Sequence, residues 1–127
     1  TMERQASGTA MNWAVVDPAD DVVLASVGWF NYTPDVECEV GYWTHPEARG
    51  RRVATRATAA VVRYAVEELG VRRVTAFAGV DNVGSRRVIE ANGFRQYAVE
   101  RLGAWVRDGR EDMALYDLLA EELAPRT

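Results

Sequence analysis

Gly41-Tyr-Trp-Thr-His-Pro-Glu-Ala-Arg-Gly-Arg-Arg-Val-Ala-Thr55 decides how the rest of the chain is read. It has the pattern of a strand that turns through a basic, glycine-containing loop into a helix. Such a turn presents main-chain N–H groups without intrahelical partners at the positive end of the helix, which makes an anion site. Arg49, Arg51 and Arg52 add full charges where the main chain supplies partial ones. A phosphate-bearing ligand is the expectation, with a solvated helix start as the plainer alternative.

Working outward, the spacing of apolar and turn residues gives a clear order of elements. Asn12 to Asp17 and Val22 to Tyr32 form a predicted hairpin around Pro18-Ala-Asp-Asp21. Glu37 to Thr44 is the third strand, and alternation puts Glu37 and Glu39 on one of its faces. A helix is predicted over 52–69, with Val53, Ala57, Ala60, Val61, Tyr64 and Ala65 at helical spacing and Gly70 as its stop. Arg73 to Val80 is a strand, and Asp81-Asn82 cap a short helix over 83–92 that ends at Gly93. Phe94 to Trp105 and Glu111 to Leu119 are two more strands around Arg107-Asp-Gly109. This order predicts an α+β, or mixed α/β, domain: a mostly antiparallel sheet of about six strands with two helices. The crossover helix makes Glu37–Thr44 and Arg73–Val80 a parallel pair, and the basic loop sits where the sheet changes sense.

Composition narrows the function classes. The chain has 127 residues, enough for one domain with a real core. Its net charge of −4 argues against bulk attraction to nucleic acid, and no apolar run reaches the roughly 20 residues that cross a bilayer. All 15 basic residues are arginines, grouped around 49–56, at 72–73 and at 86–87. Local clusters on an acidic protein suit a small anionic ligand. The single cysteine, Cys38, excludes an internal disulfide, and with no visible targeting signal a cytoplasmic location is expected.

Trp43 to Thr55, with Arg49-Gly-Arg-Arg-Val-Ala54 at its centre, resembles the pyrophosphate-binding motif of GCN5-related N-acetyltransferases, written Gln/Arg-x-x-Gly-x-Gly/Ala. Asp81-Asn-Val-Gly-Ser-Arg-Arg-Val-Ile-Glu-Ala-Asn-Gly-Phe94 resembles the family's Asn-x-x-Ser helix followed by Gly-Phe. Glu39-Val-Gly-Tyr-Trp43 is similar to the RimJ/RimL-type branch, and the likeness runs from about Trp13 to Leu119. Two departures stand out. Arg52 occupies the motif's fourth position, normally glycine, and either crowds a diphosphate or clamps it. The hairpin begins near residue 12, without the strand and helices that usually precede it, so residues 1–127 are expected as one domain lacking that front wall. A bare apolar face there would favour a homodimer.

The resemblance implies acetyl transfer from acetyl-CoA (CoA) to a small-molecule or peptide amine, with no metal, no covalent enzyme intermediate, no nucleic acid and no membrane. It implies that the strand around Trp43 and Thr44 holds the pantetheine arm. Arg49, Gly50, Arg51, Arg52, Val53, Ala54 and Thr55 would surround the diphosphate, and Asn82 would bond the arm. Ser85 would lie near the sulfur as the acid. Glu39 is the first candidate base and Glu37 the second; the plainer reading is a pair of solvent-facing strand carboxylates. For Asn82 and Ser85 the plainer reading is helix capping. His45 reads as structural or exposed. Cys38 reads as a small core residue, and Trp13, Trp29, Trp43 and Trp105 as packing residues. A non-catalytic CoA-binding or regulatory module, and a structural subunit that completes a partner's site, are the rival readings.

Overall fold

A computed structural model gives the fold and describes residues 5–7, 10–16, 19, 23–44, 53–106 and 108–123. Among these residues seven strands form one sheet: β1 (Gln5–Ser7), β2 (Ala10–Val16), β3 (Val23–Thr33), β4 (Glu37–Thr44), β5 (Arg73–Gly79), β6 (Arg95–Val106) and β7 (Gly109–Leu119). The helices are α1 (Val53–Glu67) and α2 (Val83–Ala91). The sheet order is β1-β2-β3-β4-β5-β7-β6, so the last hairpin folds back and lays its second strand beside β5. The six expected strands are present, and β1 adds a three-residue edge strand that sequence pattern did not reveal. Among the described residues, no helix is long and apolar enough to cross a membrane.

All pairings are antiparallel except β4 with β5, as the crossover through α1 requires. Both helices contribute to one core against the same sheet face. Val61, Val62 and Ala65 of α1 and Ile89 of α2 meet Cys38, Val40, Val74, Ala76, Ala114, Tyr116 and Leu118. On α1 the inward stripe is Val53, Ala54, Thr58, Val61, Val62 and Ala65. Ala60, expected on that stripe, is exposed, because the buried side is rotated toward Thr58 and Val62. Trp29 is buried and Trp13 packs edge-on to Tyr64, with ring centres 5.5 Å apart. Trp105 corrects the packing expectation. It is 78% exposed on the β6–β7 hairpin, where Arg110 lies over its ring.

Alternation leaves Glu37, Glu39, Arg73, Thr75, Phe77, Met113 and Leu115 on the opposite face. No described helix covers that face, and Phe77 and Tyr97 are 44% and 52% exposed on it. Among the described residues, helices therefore lie on one side of the sheet only.

A network of hydrogen bonds fixes α2 to the sheet. Arg86 Nε donates to the buried Tyr116 hydroxyl at 2.8 Å, and that hydroxyl donates to Glu90 Oε2 at 2.8 Å. Arg86 also donates to the Val80 carbonyl and to Gln96 Oε1, both at 2.9 Å. The buried Tyr116 hydroxyl thus accepts one hydrogen bond and donates another, as burial demands.

Candidate functional site

The parallel ladder between β4 and β5 is short. It pairs Glu37 with Arg73, Cys38 with Val74 and Glu39 with Thr75, and then stops. β4 continues to Thr44 and β5 to Gly79 without further pairing. On its other side β4 stays paired to β3 as far as Thr44. The strands therefore part after Glu39, and among the described residues no strand pairs with the edge of β4 from Val40 to Thr44 on the side of the opening. Main-chain N–H and C=O groups seek partners wherever they are shielded from water. This edge is a natural seat for an extended ligand with amide groups.

The open face of the sheet carries the carboxylates. Glu37, Glu39, Phe77, Tyr97, Glu100 and Met113 line a groove of about 400 Å³ there. The two glutamates are not equivalent. Arg73 donates to Glu37 Oε1 at 3.4 Å and to Asp117 Oδ2 at 3.1 Å, so Glu37 is tied into an ion-pair chain. Glu39 instead accepts a hydrogen bond from Asn31 Nδ2 at 3.2 Å. Asn31 lies at an irregularity in the β3–β4 ladder and has a left-handed backbone, φ 54°, which asparagine tolerates better than most residues. Partial burial raises the affinity of Glu39 for a proton; the Asn31 bond lowers it, and the charge on Glu37 raises it again. A carboxylate shifted upward is a stronger base than an ordinary surface one. Of the two candidates, Glu39 has the better environment for accepting a proton.

The helical face carries the hydroxyls. Asn82 caps α2, its Oδ1 accepting from the Ser85 main-chain N at 3.1 Å, as the plainer reading of this motif required. Ser85 stands in the first turn of α2, and its Oγ is 2.6 Å from the hydroxyl of Tyr42 on β4. Tyr42 was not singled out from sequence, where a strand tyrosine reads as packing. Asn31, Arg73 and Glu100 were also missed. Strand alternation alone would have put Arg73 beside Glu37.

Cys38 lies between the two glutamates in sequence but points into the core, fully buried. Burial first, then the neighbouring charges of Glu37 and Glu39, push its thiol up to about 12. It is a packing residue without thiolate chemistry at neutral pH.

Trp43 and Thr44 end β4. Arg49, Gly50, Arg51 and Arg52, with His45, lie outside the described residues. Val53 and Ala54 open α1 with buried side chains, and the Thr55 carbonyl accepts a bond from Asn92 Nδ2 at 3.3 Å. The start of α1 is thus packed down beside α2.

Comparison with known proteins agrees with this geometry. The family described as acetyltransferase (GNAT) domain matches over residues 1–95. The putative ribosomal N-acetyltransferase YdaF of Bacillus subtilis is 37% identical over 86 residues, which are 68% of this chain and 47% of that protein. A crystal structure of a probable acetyltransferase superposes with a TM-score of 0.84 at 29% identity, covering 91% of this chain and 64% of the other. RimJ of Mycobacterium smegmatis, in complex with CoA-disulfide, gives a TM-score of 0.84 at 24% identity, covering 94% and 57%. The chain spans about half to two thirds of the length of the curated relatives it matches.

Proposed function

The chain belongs to the GNAT acetyltransferase domain family, and from that premise we propose that it is an N-acetyltransferase, moving an acetyl group from acetyl-CoA directly to a primary amine. Residues 1–127 act in this reading as one domain. The acceptor is a protein N-terminus, a polyamine or a small amino compound. A CoA complex of a protein with the same fold supports the choice of donor.

The carrying observation is the parting of β4 from β5 between a carboxylate face and a hydroxyl face. The unpaired edge of β4 suits an extended arm with amide groups, and its N–H groups over Gly41–Thr44 are available to a carbonyl oxygen. Arg49, Arg51 and Arg52, with the amides from Gly50 to Thr55, hold the diphosphate. Acetyl-CoA supplies the activated acetyl group as a thioester. Glu39, on the open face, takes the proton that the attacking amine must lose. Ser85, on the helical face, donates to the departing sulfur. Base and acid on opposite faces stay apart, so neither neutralises the other. Alignment in the opening supplies much of the remaining acceleration.

Release of free thiol from acetyl-CoA in the presence of a panel of amines tests the proposal. A second reading, a CoA-binding module without turnover, is favoured by Arg52 at the motif position normally held by glycine. A rise in melting temperature with CoA, and no thiol release with any amine, would establish that second reading and sink the first.

A further inference from the structure

Tyr42 lies opposite Val27 on β3, in the part of β4 that has already parted from β5. Its ring packs against the core, and its hydroxyl reaches the first turn of α2. There it is 2.6 Å from Ser85 Oγ and 3.0 Å from the Ser85 main-chain oxygen. Since α2 follows β5 in the chain, this contact ties the two diverging strands together across the opening.

A phenol has one proton, and here it has two acceptors. With that proton on the Ser85 carbonyl, the serine O–H points into the tyrosine oxygen. With it on Ser85 Oγ, the serine proton is released to a group in the opening. The two settings differ by rotation about two C–O bonds, one in each hydroxyl, and no heavy atom moves. A hydroxyl that receives a hydrogen bond is a better donor, because such chains polarise one another. Burial raises the Tyr42 phenol, with the Ser85 bond lowering it, so the proton stays in place at neutral pH.

We infer that Tyr42 is a positioning residue that sets the Ser85 hydroxyl for donation to the departing sulfur. The inference rests on the transfer reaction proposed above. In that reaction a C–N bond forms, the C–S bond breaks, the amine proton goes to Glu39 and from there to water, and the sulfur leaves as a thiolate that accepts a hydrogen bond from Ser85 Oγ and takes its proton from water. Tyr42 gives no proton; by donating to Ser85 Oγ it strengthens the bond that Ser85 makes to the sulfur.

Tyr42→Phe keeps the ring and removes the contact. It should lower kcat for thiol release by roughly tenfold or more, with the acetyl-CoA KM within about twofold, because the interaction matters only as the sulfur leaves. Combined with Ser85→Ala it should be no slower than Ser85→Ala alone, since both act through one hydroxyl. Ser85→Ala, which leaves the tyrosine packing in place, is the safeguard if the first variant folds poorly. A Ser85→Ala kcat within about twofold of wild type overturns the inference. So does an active wild type whose folded Tyr42→Phe form keeps its kcat, and in both cases acetyl transfer itself still stands. A wild type that binds CoA but releases no thiol with any amine overturns the transfer reading and this role with it.

Discussion

At the residue scale, Glu39 has two measurable consequences that follow from one cause. Partial burial makes its charged form less favourable in the fold than in the unfolded chain, so its folded-state pKa is raised. A raised pKa means that the fold binds the proton more tightly. The resulting stability is present at acid pH and is lost as pH rises through the shifted value. Glu39→Gln keeps an acceptor oxygen for Asn31 and removes the charge. The variant should therefore melt higher than wild type at pH 7, with the difference closing as pH falls toward the ordinary carboxylate range. Thermal melts across that pH series decide this. Turnover should move the other way, falling on the order of 10²-fold at neutral pH with CoA affinity unchanged, as expected for loss of a general base. A folded variant whose turnover is unchanged would remove Glu39 as the base.

At the scale of elements, substitution can separate the capping role of Asn82 from the ligand role proposed for it. Its Oδ1 caps α2 through the Ser85 N–H. Its amide donors are what the proposed pantetheine contact uses. Asn82→Asp keeps a capping oxygen and loses the donors, whereas Asn82→Ala loses both. The alanine variant should be destabilised by about 1 kcal/mol in urea denaturation. The aspartate variant should retain stability and still bind CoA more weakly in a direct titration. Equal CoA affinity in wild type and Asn82→Asp would reduce Asn82 to a cap. Much of this element level was legible in the sequence. β4 has the bounds that its alternation and flanking turn residues implied, and the parallel β4–β5 pair follows from the helix between them. What was not legible depends on how distant segments meet. Nothing local says that β7 rather than β6 adjoins β5. Tyr42 and Ser85 are 43 residues apart, and each reads alone as an ordinary strand or cap residue. Glu39, Asn82 and Ser85 stood out because a carboxylate, an amide and a hydroxyl within short motifs suggest chemistry, whereas Tyr42, within one of the same motifs, reads as an apolar strand residue until its hydroxyl partner is seen.

At the scale of the whole molecule, a chain of net charge −4 is asked to hold a ligand with several negative phosphates. Bulk charge opposes that, so the attraction must be local. The arginines at 49–52 meet the need only if they act at short range, where screening by salt is weakest. Among the described residues both helices pack on one face of the sheet and no helix covers the other. Ligand binding to the folded state alone stabilises by RT ln(1 + [L]/Kd), about 2.7 kcal/mol at a hundredfold excess over Kd. If Arg49→Ala weakens CoA binding about tenfold, close to 1.4 kcal/mol of that gain disappears. In a domain of this size the loss lowers the melting temperature with CoA by roughly 4 °C. Without CoA the melting temperature should be unchanged within about a degree if Arg49 serves the ligand and not the fold. Paired melts of wild type and Arg49→Ala, with and without CoA, read both quantities. An equal CoA-induced rise in the two proteins would show that the loop does not grip the phosphates. The anion site would then have to be sought among the other arginines, beginning with exposed Arg87 on α2.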